Sequence, residues 1–132
     1  MIYSLDTNAI IDILKKRGNT AVKLREVVHD CQLVISPYVY FELHKGFLFS
    51  NATAQERIFA DLEKILYKPQ LNEFDVMKRA ADISFALKKF GVSDQKIDIF
   101  IGAWTIEAGA VLVTSNIKHF ENMPGLKMEN WR

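Results

Sequence analysis

The chain has 132 residues, 49% of them hydrophobic and 25% charged, with a formal net charge of +1. That length fills one domain with a real core, and the composition excludes disorder. The near-neutral balance argues against a passive binder that grips nucleic acid over a broad basic surface, but not against an enzyme with a small basic rim.

The β-prone run Ile2-Tyr3-Ser4-Leu5 predicts a first strand. A helix follows from about Ala9 to Lys16, with Thr7 or Asn8 as its cap and Gly18 as its stop. Ala21, Leu24, Val27 and Val28 recur at helical spacing and predict a second helix over Thr20–His29. Gln32–Ile35 reads as the second strand. Ser36-Pro37 is an N-cap followed by proline at the first helical position, opening a helix to about Phe49.

Thr53-Ala54-Gln55-Glu56 has the form of a capping box, with Ile58, Phe59, Leu62, Ile65 and Leu66 as the buried stripe of a helix that Pro69 ends. Asn72, with Asp75 three residues on, opens a long helix through Val76, Ala80, Ile83 and Leu87 to Gly91. Ser93 or Asp94 caps a further helix over Gln95–Ala108, stopped by Gly109. Ala110–Thr114 is an apolar strand, Ile117–Phe120 a short helical turn, and Leu126–Met128 a last edge strand.

Strands alternating with helices predict an α/β fold with a central, mostly parallel sheet flanked by helices. The helical excess between Pro37 and Gly91 suggests an arm projecting from that sheet. There is no repeat or linker, so residues 1–132 read as a single domain. Cys31 is the only cysteine, which excludes an intrachain disulfide and a cysteine-rich zinc site. Asp6 interrupts the apolar start before a signal peptide develops, and no apolar run approaches the ~20 residues of a spanning helix. A cytoplasmic protein without a membrane partner is expected.

Three acids stand where function gathers in such sheets. Asp6 ends the first strand, Glu42 lies on the helix after the second, and Asp98 lies in the first turn of the helix before the strand at Val111. Gly102, one turn beyond Asp98, would leave that helix face open to a ligand or a backbone. Hard oxygen donors without a histidine partner favour Mg²⁺ or Mn²⁺ and phosphodiester chemistry. Thr7, Ser36 and Thr114 are candidate hydroxyls for orienting carboxylates or water. Each acid taken alone is equally a helix cap or a surface charge.

Four segments in order resemble the PIN domains: Leu5-Asp6-Thr7-Asn8, Ser36-Pro37…Glu42-Leu43, Asp98-Ile99-Phe100-Ile101-Gly102-Ala103, and Leu112-Val113-Thr114-Ser115-Asn116…Phe120. The closing Met123-Pro124-Gly125-Leu126…Glu129-Asn130-Trp131 resembles VapC-type toxins of toxin–antitoxin pairs. The resemblance implies a PIN fold and a Mg²⁺- or Mn²⁺-dependent endoribonuclease with Asp6, Glu42 and Asp98 as metal-binding, catalytic acids. It also implies a homodimer and a small DNA-binding antitoxin as partner. Many members carry an acid where this chain has Asn116, so one firm ion is expected and a second would bind more weakly. Glu121 or Asp94 could substitute, or be plain surface charges.

Lys15-Lys16-Arg17, Lys45, Lys88-Lys89 and Lys118 could guide an RNA backbone or be solvated helix faces, the plainer reading for Lys88-Lys89, and Lys45 is the candidate phosphate contact among them. Phe41, Phe47, Leu48 and Phe49, beside Phe59, are either core or a groove for the antitoxin, and the resemblance favours the groove. His29, His44 and His119 share no ligand spacing, although His119 falls near the substrate side. Two other functions compete. A haloacid-dehalogenase-type phosphatase also opens with an acid after its first strand, but needs a second acid where Asn8 stands. A PIN-like module that binds RNA or protein without turnover would suit Asn116. Which RNA is cut, tRNA or rRNA, and where, is not written in these motifs.

Overall fold

A computed structural model describes residues 1–91 and 96–132. The described residues form β1 (Ile2–Leu5), α1 (Thr7–Lys15), α2 (Thr20–Val27), β2 (Gln32–Val34), α3 (Pro37–Ser50) and α4 (Thr53–Glu63). They continue as α5 (Glu73–Lys89), α6 (Lys96–Glu107), β3 (Val111–Val113), α7 (Ile117–Phe120) and β4 (Met128–Glu129). All four strands are parallel, in the order β2-β1-β3-β4. Tyr3, Ser4 and Leu5 of β1 and all of β3 are buried without alternation, as expected of central strands covered by helices on both faces. The parallel sheet flanked by helices follows the sequence reading.

The topology fixes where function can sit. From β1 the chain steps to β2 on one side, and later to β3 on the other side of β1. The strand order therefore reverses between β1 and β3, whose carboxyl ends open the crevice where ligands gather in such sheets. Asp6 continues the ladder one residue beyond β1, its N–H donating to the Val113 carbonyl at 3.0 Å.

Local chemistry explains most of the helix boundaries. Ser36 caps α3 by accepting from Val39 N at 3.1 Å, with Pro37 at the first position. Asn72 caps α5 by accepting from Phe74 N and Asp75 N. Val76, Ala80, Ile83 and Leu87 then form the buried stripe of α5, and Arg79 pairs with Glu107 to tie α5 to α6. Trp104 of α6 is fully buried among the sheet and helix side chains. Complete burial of one such large apolar side chain contributes roughly 1.5–3 kcal/mol.

Several boundaries differ from expectation. Asp6, rather than Thr7 or Asn8, caps α1, and Lys16 rather than Gly18 closes it in the left-handed conformation, φ 54°. The expected capping box does not form. Asn51 ends α3 in the left-handed region, which leaves only Ala52 between two helices, so Ala52 takes the cap position and Thr53 is drawn into α4. Phe59, Leu62 and Leu66 are buried, whereas Ile58 and Ile65 are exposed. The expected caps Ser93 and Asp94 lie outside the described residues.

The helical arm consists of α3 and α4. Val39, Leu43 and Phe47 are buried on α3, with Phe59 and Leu62 buried on α4. Phe47 and Phe59 are thus core, while Phe41, Leu48 and Phe49 remain exposed, the last two at 80% and 84%.

Candidate active site

Asp6 sits at the centre of the crevice because it is at once the end of β1 and the cap of α1. Its Oδ1 accepts from Thr7 N at 2.8 Å. Its Oδ2 accepts from Asn8 Nδ2 at 2.9 Å and from Thr114 Oγ1 at 2.8 Å. Burial pushes this carboxyl up to about 6; the Thr114 and Thr7 bonds pull it down, and the Asp98 and Glu42 charges push it up again.

Glu42 reaches the same crevice from the second turn of α3. It is half-buried, and its Oε1 accepts from Thr7 Oγ1 at 2.8 Å. Thr7 thus contacts two acids, Asp6 through its main chain and Glu42 through its hydroxyl. Asp98 enters from the first turn of α6, where burial raises its pKa and His119 lowers it. His119 Nδ1 lies 3.0 Å from Asp98 Oδ2.

Asn8 holds the crevice together from below. Its Nδ2 donates to Asp6 and to Thr114 Oγ1 (3.2 Å), while its Oδ1 accepts from Ser115 N at 2.9 Å and Ser115 Oγ at 3.0 Å. Thr114 Oγ1 also accepts from Asn116 N at 3.0 Å. This lattice locks the start of α1 to the loop after β3 and fixes the direction of the Asp6 carboxylate.

The result is an open cleft of about 450 Å³ whose walls include Asp6, Thr7, Glu42, Asp98, Asn116 and His119. Asp12, Arg17 and Arg132 also line it. Thr114 lies directly behind Asp6. Ser36 is elsewhere: it lines a separate groove with Ile35, Tyr40 and Trp104, and serves the site only by capping the helix that carries Glu42. Lys45 does not line the cleft either; its ammonium lies 5.9 Å and 5.8 Å from the ring centres of Phe41 and Phe49. Glu121 is exposed and outside the cleft walls, and Asp94 lies outside the described residues. Gly102 is closed to ligands. A Cβ there would meet Met123 Sδ at 2.5 Å, so its small size serves packing.

Arg17, one of the basic residues expected to guide RNA, does line the cleft, whereas Asn8 as a brace and Asp12 and Arg132 as cleft residues were not expected. Asn8 and Asp12 stand one helical turn apart on α1, two and six residues after Asp6, so the face was available to be read. Arg132 gave no such signal, because its partner lies 120 residues away.

Among the described residues no three of His, Cys, Asp or Glu close into a ready-made metal cluster. The donor set nevertheless suits Mg²⁺ or Mn²⁺. Mg²⁺ keeps several waters and takes only one or two carboxylates, so an open, all-oxygen cleft is the appropriate form. A buried carboxyl held up near 6 by burial and by two neighbouring acids is also a place where positive charge is missing.

The PIN domain family model matches residues 3–126, and the chain belongs to the PIN-domain family. Ribonuclease VapC1 of Haemophilus influenzae is 30% identical, covering 99% of this chain and 98% of that protein. The tRNA(fMet)-specific endonuclease VapC of Salmonella typhimurium is 26% identical over 98% of this chain and 97% of its own. Among solved structures, VapBC2 from Rickettsia felis bound to a DNA fragment from their promoter superposes with a TM-score of 0.87. That match has 26% identity and covers 100% of both chains. Within its family the chain is a VapC-type ribonuclease of the toxin–antitoxin group.

Proposed function

We propose that the chain is the toxin of a toxin–antitoxin pair and a Mg²⁺- or Mn²⁺-dependent endoribonuclease acting on tRNA or rRNA. The observation that carries this reading is the convergence of Asp6, Glu42 and Asp98, from three separate elements, on one cleft at the β1/β3 switch point. When bound there, the cation supplies charge to neutralise a scissile phosphate and acidifies water for in-line attack. Asp6, Glu42 and Asp98 hold it. Thr7 orients Glu42, and Thr114 and Asn8 orient Asp6, so that all three present oxygens to the cleft. Asn116 adds no charge, which leaves one firm ion and a weaker second.

The VapC of Salmonella typhimurium favours tRNA as the substrate. The Rickettsia felis pair on its promoter fragment supports a DNA-binding antitoxin as partner, and the exposed Phe41, Leu48 and Phe49 on the arm offer it an apolar surface. A homodimer and a cytoplasmic setting complete the reading. The phosphatase alternative fails on Asn8, whose amide is committed to Asp6, Thr114 and Ser115 and does not titrate, so it cannot serve as the general acid or base.

Brief expression followed by sequencing of cut RNA ends tests the reading. Discrete cuts with 5′-phosphate and 3′-hydroxyl ends, absent with Asp6→Asn, are expected. Cyclic-phosphate ends, or cuts that persist with Asp6→Asn, would refute it.

A further inference from the structure

The cleft carries more acid than its proposed substrate, a polyanion, would tolerate unaided. Asp6, Asp12, Glu42 and Asp98 all line it, together with two arginines, Arg17 and Arg132. Both arginines are tied to Asp12, Arg17 through its main-chain N–H and Arg132 through its guanidinium, whereas Asp6 caps the start of α1 and His119 stands against Asp98. The permanent positive charge of the cleft is therefore gathered at Asp12, more than one helical turn along α1 from Asp6.

Arg132 is held there by several independent contacts. Its Nε donates to Asp12 Oδ2 and an Nη to Asp12 Oδ1, both at 2.9 Å, with the Asp12 side chain only 2% exposed and that of Arg132 50% exposed. Trp131, the residue before it, is buried, donates to Glu129 Oε1 at 3.0 Å and stacks edge-on against Tyr3 at 5.0 Å. The Arg132 N–H donates to Asn130 Oδ1. Gly18, with φ +58°, lets the Arg132 stem pass: a Cβ there would stand 3.2 Å from its Cγ.

A guanidinium has five N–H donors in a rigid fork. Asp12 uses one edge, and the half-exposed remainder has donors left for a second oxyanion. We infer that Arg132, positioned by Asp12 and joined by Arg17, binds a phosphate of the RNA backbone flanking the scissile one and so sets the direction of the strand in the cleft. This rests on the endoribonuclease reading for the nature of the strand. Arg132 is the binding residue; Asp12 is a positioning residue that acts through it.

The test is binding of a single-stranded RNA oligonucleotide in the Asp6→Asn background, with affinity measured across salt concentrations, so that no turnover is required. Each phosphate contact on a single strand contributes about 0.7 to the slope of log affinity against log salt. Loss of one contact thus lowers the slope by about 0.7, or affinity by about 5-fold at 0.1 M salt relative to 1 M. Arg17→Ala, an exposed substitution, and the paired Asp12→Asn/Arg132→Gln change, which leaves no orphaned buried charge, should each show that loss. Asp12→Asn alone makes the arginine side of the cleft more positive by one charge, so weaker binding by this variant is the result expected of a positioning role for Asp12, and tighter binding would count against that role. Unchanged slopes in folded Arg17→Ala and Asp12→Asn/Arg132→Gln proteins would overturn the inference and leave the pair as a strut between α1 and the tail. In an otherwise wild-type background, a raised KM with kcat retained is the expected kinetic counterpart. An inactive wild-type protein that still shows the slope changes would count against the nuclease reading and for this one.

Discussion

Replacing Asp6 by Asn should abolish cleavage and yet stabilise the fold at neutral pH. The carboxyl is buried and its pKa is raised from 3.8 to about 6. A raised carboxyl favours folding in its neutral form, so its contribution is full below pH 3.8 and is lost as pH rises through about 6. The rise of roughly two units corresponds to ~3 kcal/mol of cost to the folded state at pH 7. Asn keeps the acceptor for Thr7 N but turns an amide toward Asn8 Nδ2 and Thr114 Oγ1, losing two hydrogen bonds worth about 1 kcal/mol each. The net gain at pH 7 is about 1 kcal/mol, or on the order of 3 °C in Tm for a domain of this size. Urea unfolding of both proteins at pH 7 and pH 4, without divalent ions, measures it. The advantage should shrink or reverse at pH 4. Equal stabilities at pH 7, or a variant weaker there than at pH 4, would refute the burial argument.

Mg²⁺ should raise the Tm of the wild type, since a ligand that binds only the folded state stabilises it, and should leave Asp6→Asn nearly unmoved; thermal scans over a Mg²⁺ series decide this. Thr114→Val removes the hydroxyl that favours the ionised Asp6, so the acid limb of the cleavage profile should move to higher pH; a limb that stays put would show that Asp6 does not govern it. Gly102→Ala forces a methyl onto Met123 Sδ and should cost about 1–3 kcal/mol in urea unfolding, with cleavage at permissive temperature retained.

The central geometry was legible because it is local. Ile2–Leu5 followed by an acid marks a strand end, and Ser36-Pro37 fixes the phase of α3, so that Glu42 in its second turn faces the same side as Asp6. What was not legible depends on distant pairing. The Asn8 brace exists only because β3 lies beside β1, which brings Thr114 and Ser115 within reach across more than 100 residues. Asp12 acquires its role only by meeting Arg132, 120 residues away. Gly102 misled for the same reason, since the occupant of its open face is a methionine two elements later. Lys45 was assigned by proximity to Glu42 in sequence, but Phe41 and Phe49 stand four residues to either side of it on α3, and its ammonium lies over those two rings.

The acid site is tested most directly by cleavage of RNA by purified protein with Mg²⁺ or Mn²⁺, with chelator, and with Asp98→Asn. Cutting that requires the ion and is lost with folded Asp98→Asn is the expected result. Undiminished cutting in chelator, or by Asp98→Asn, would contradict the assignment of Asp6, Glu42 and Asp98 as the ion's ligands.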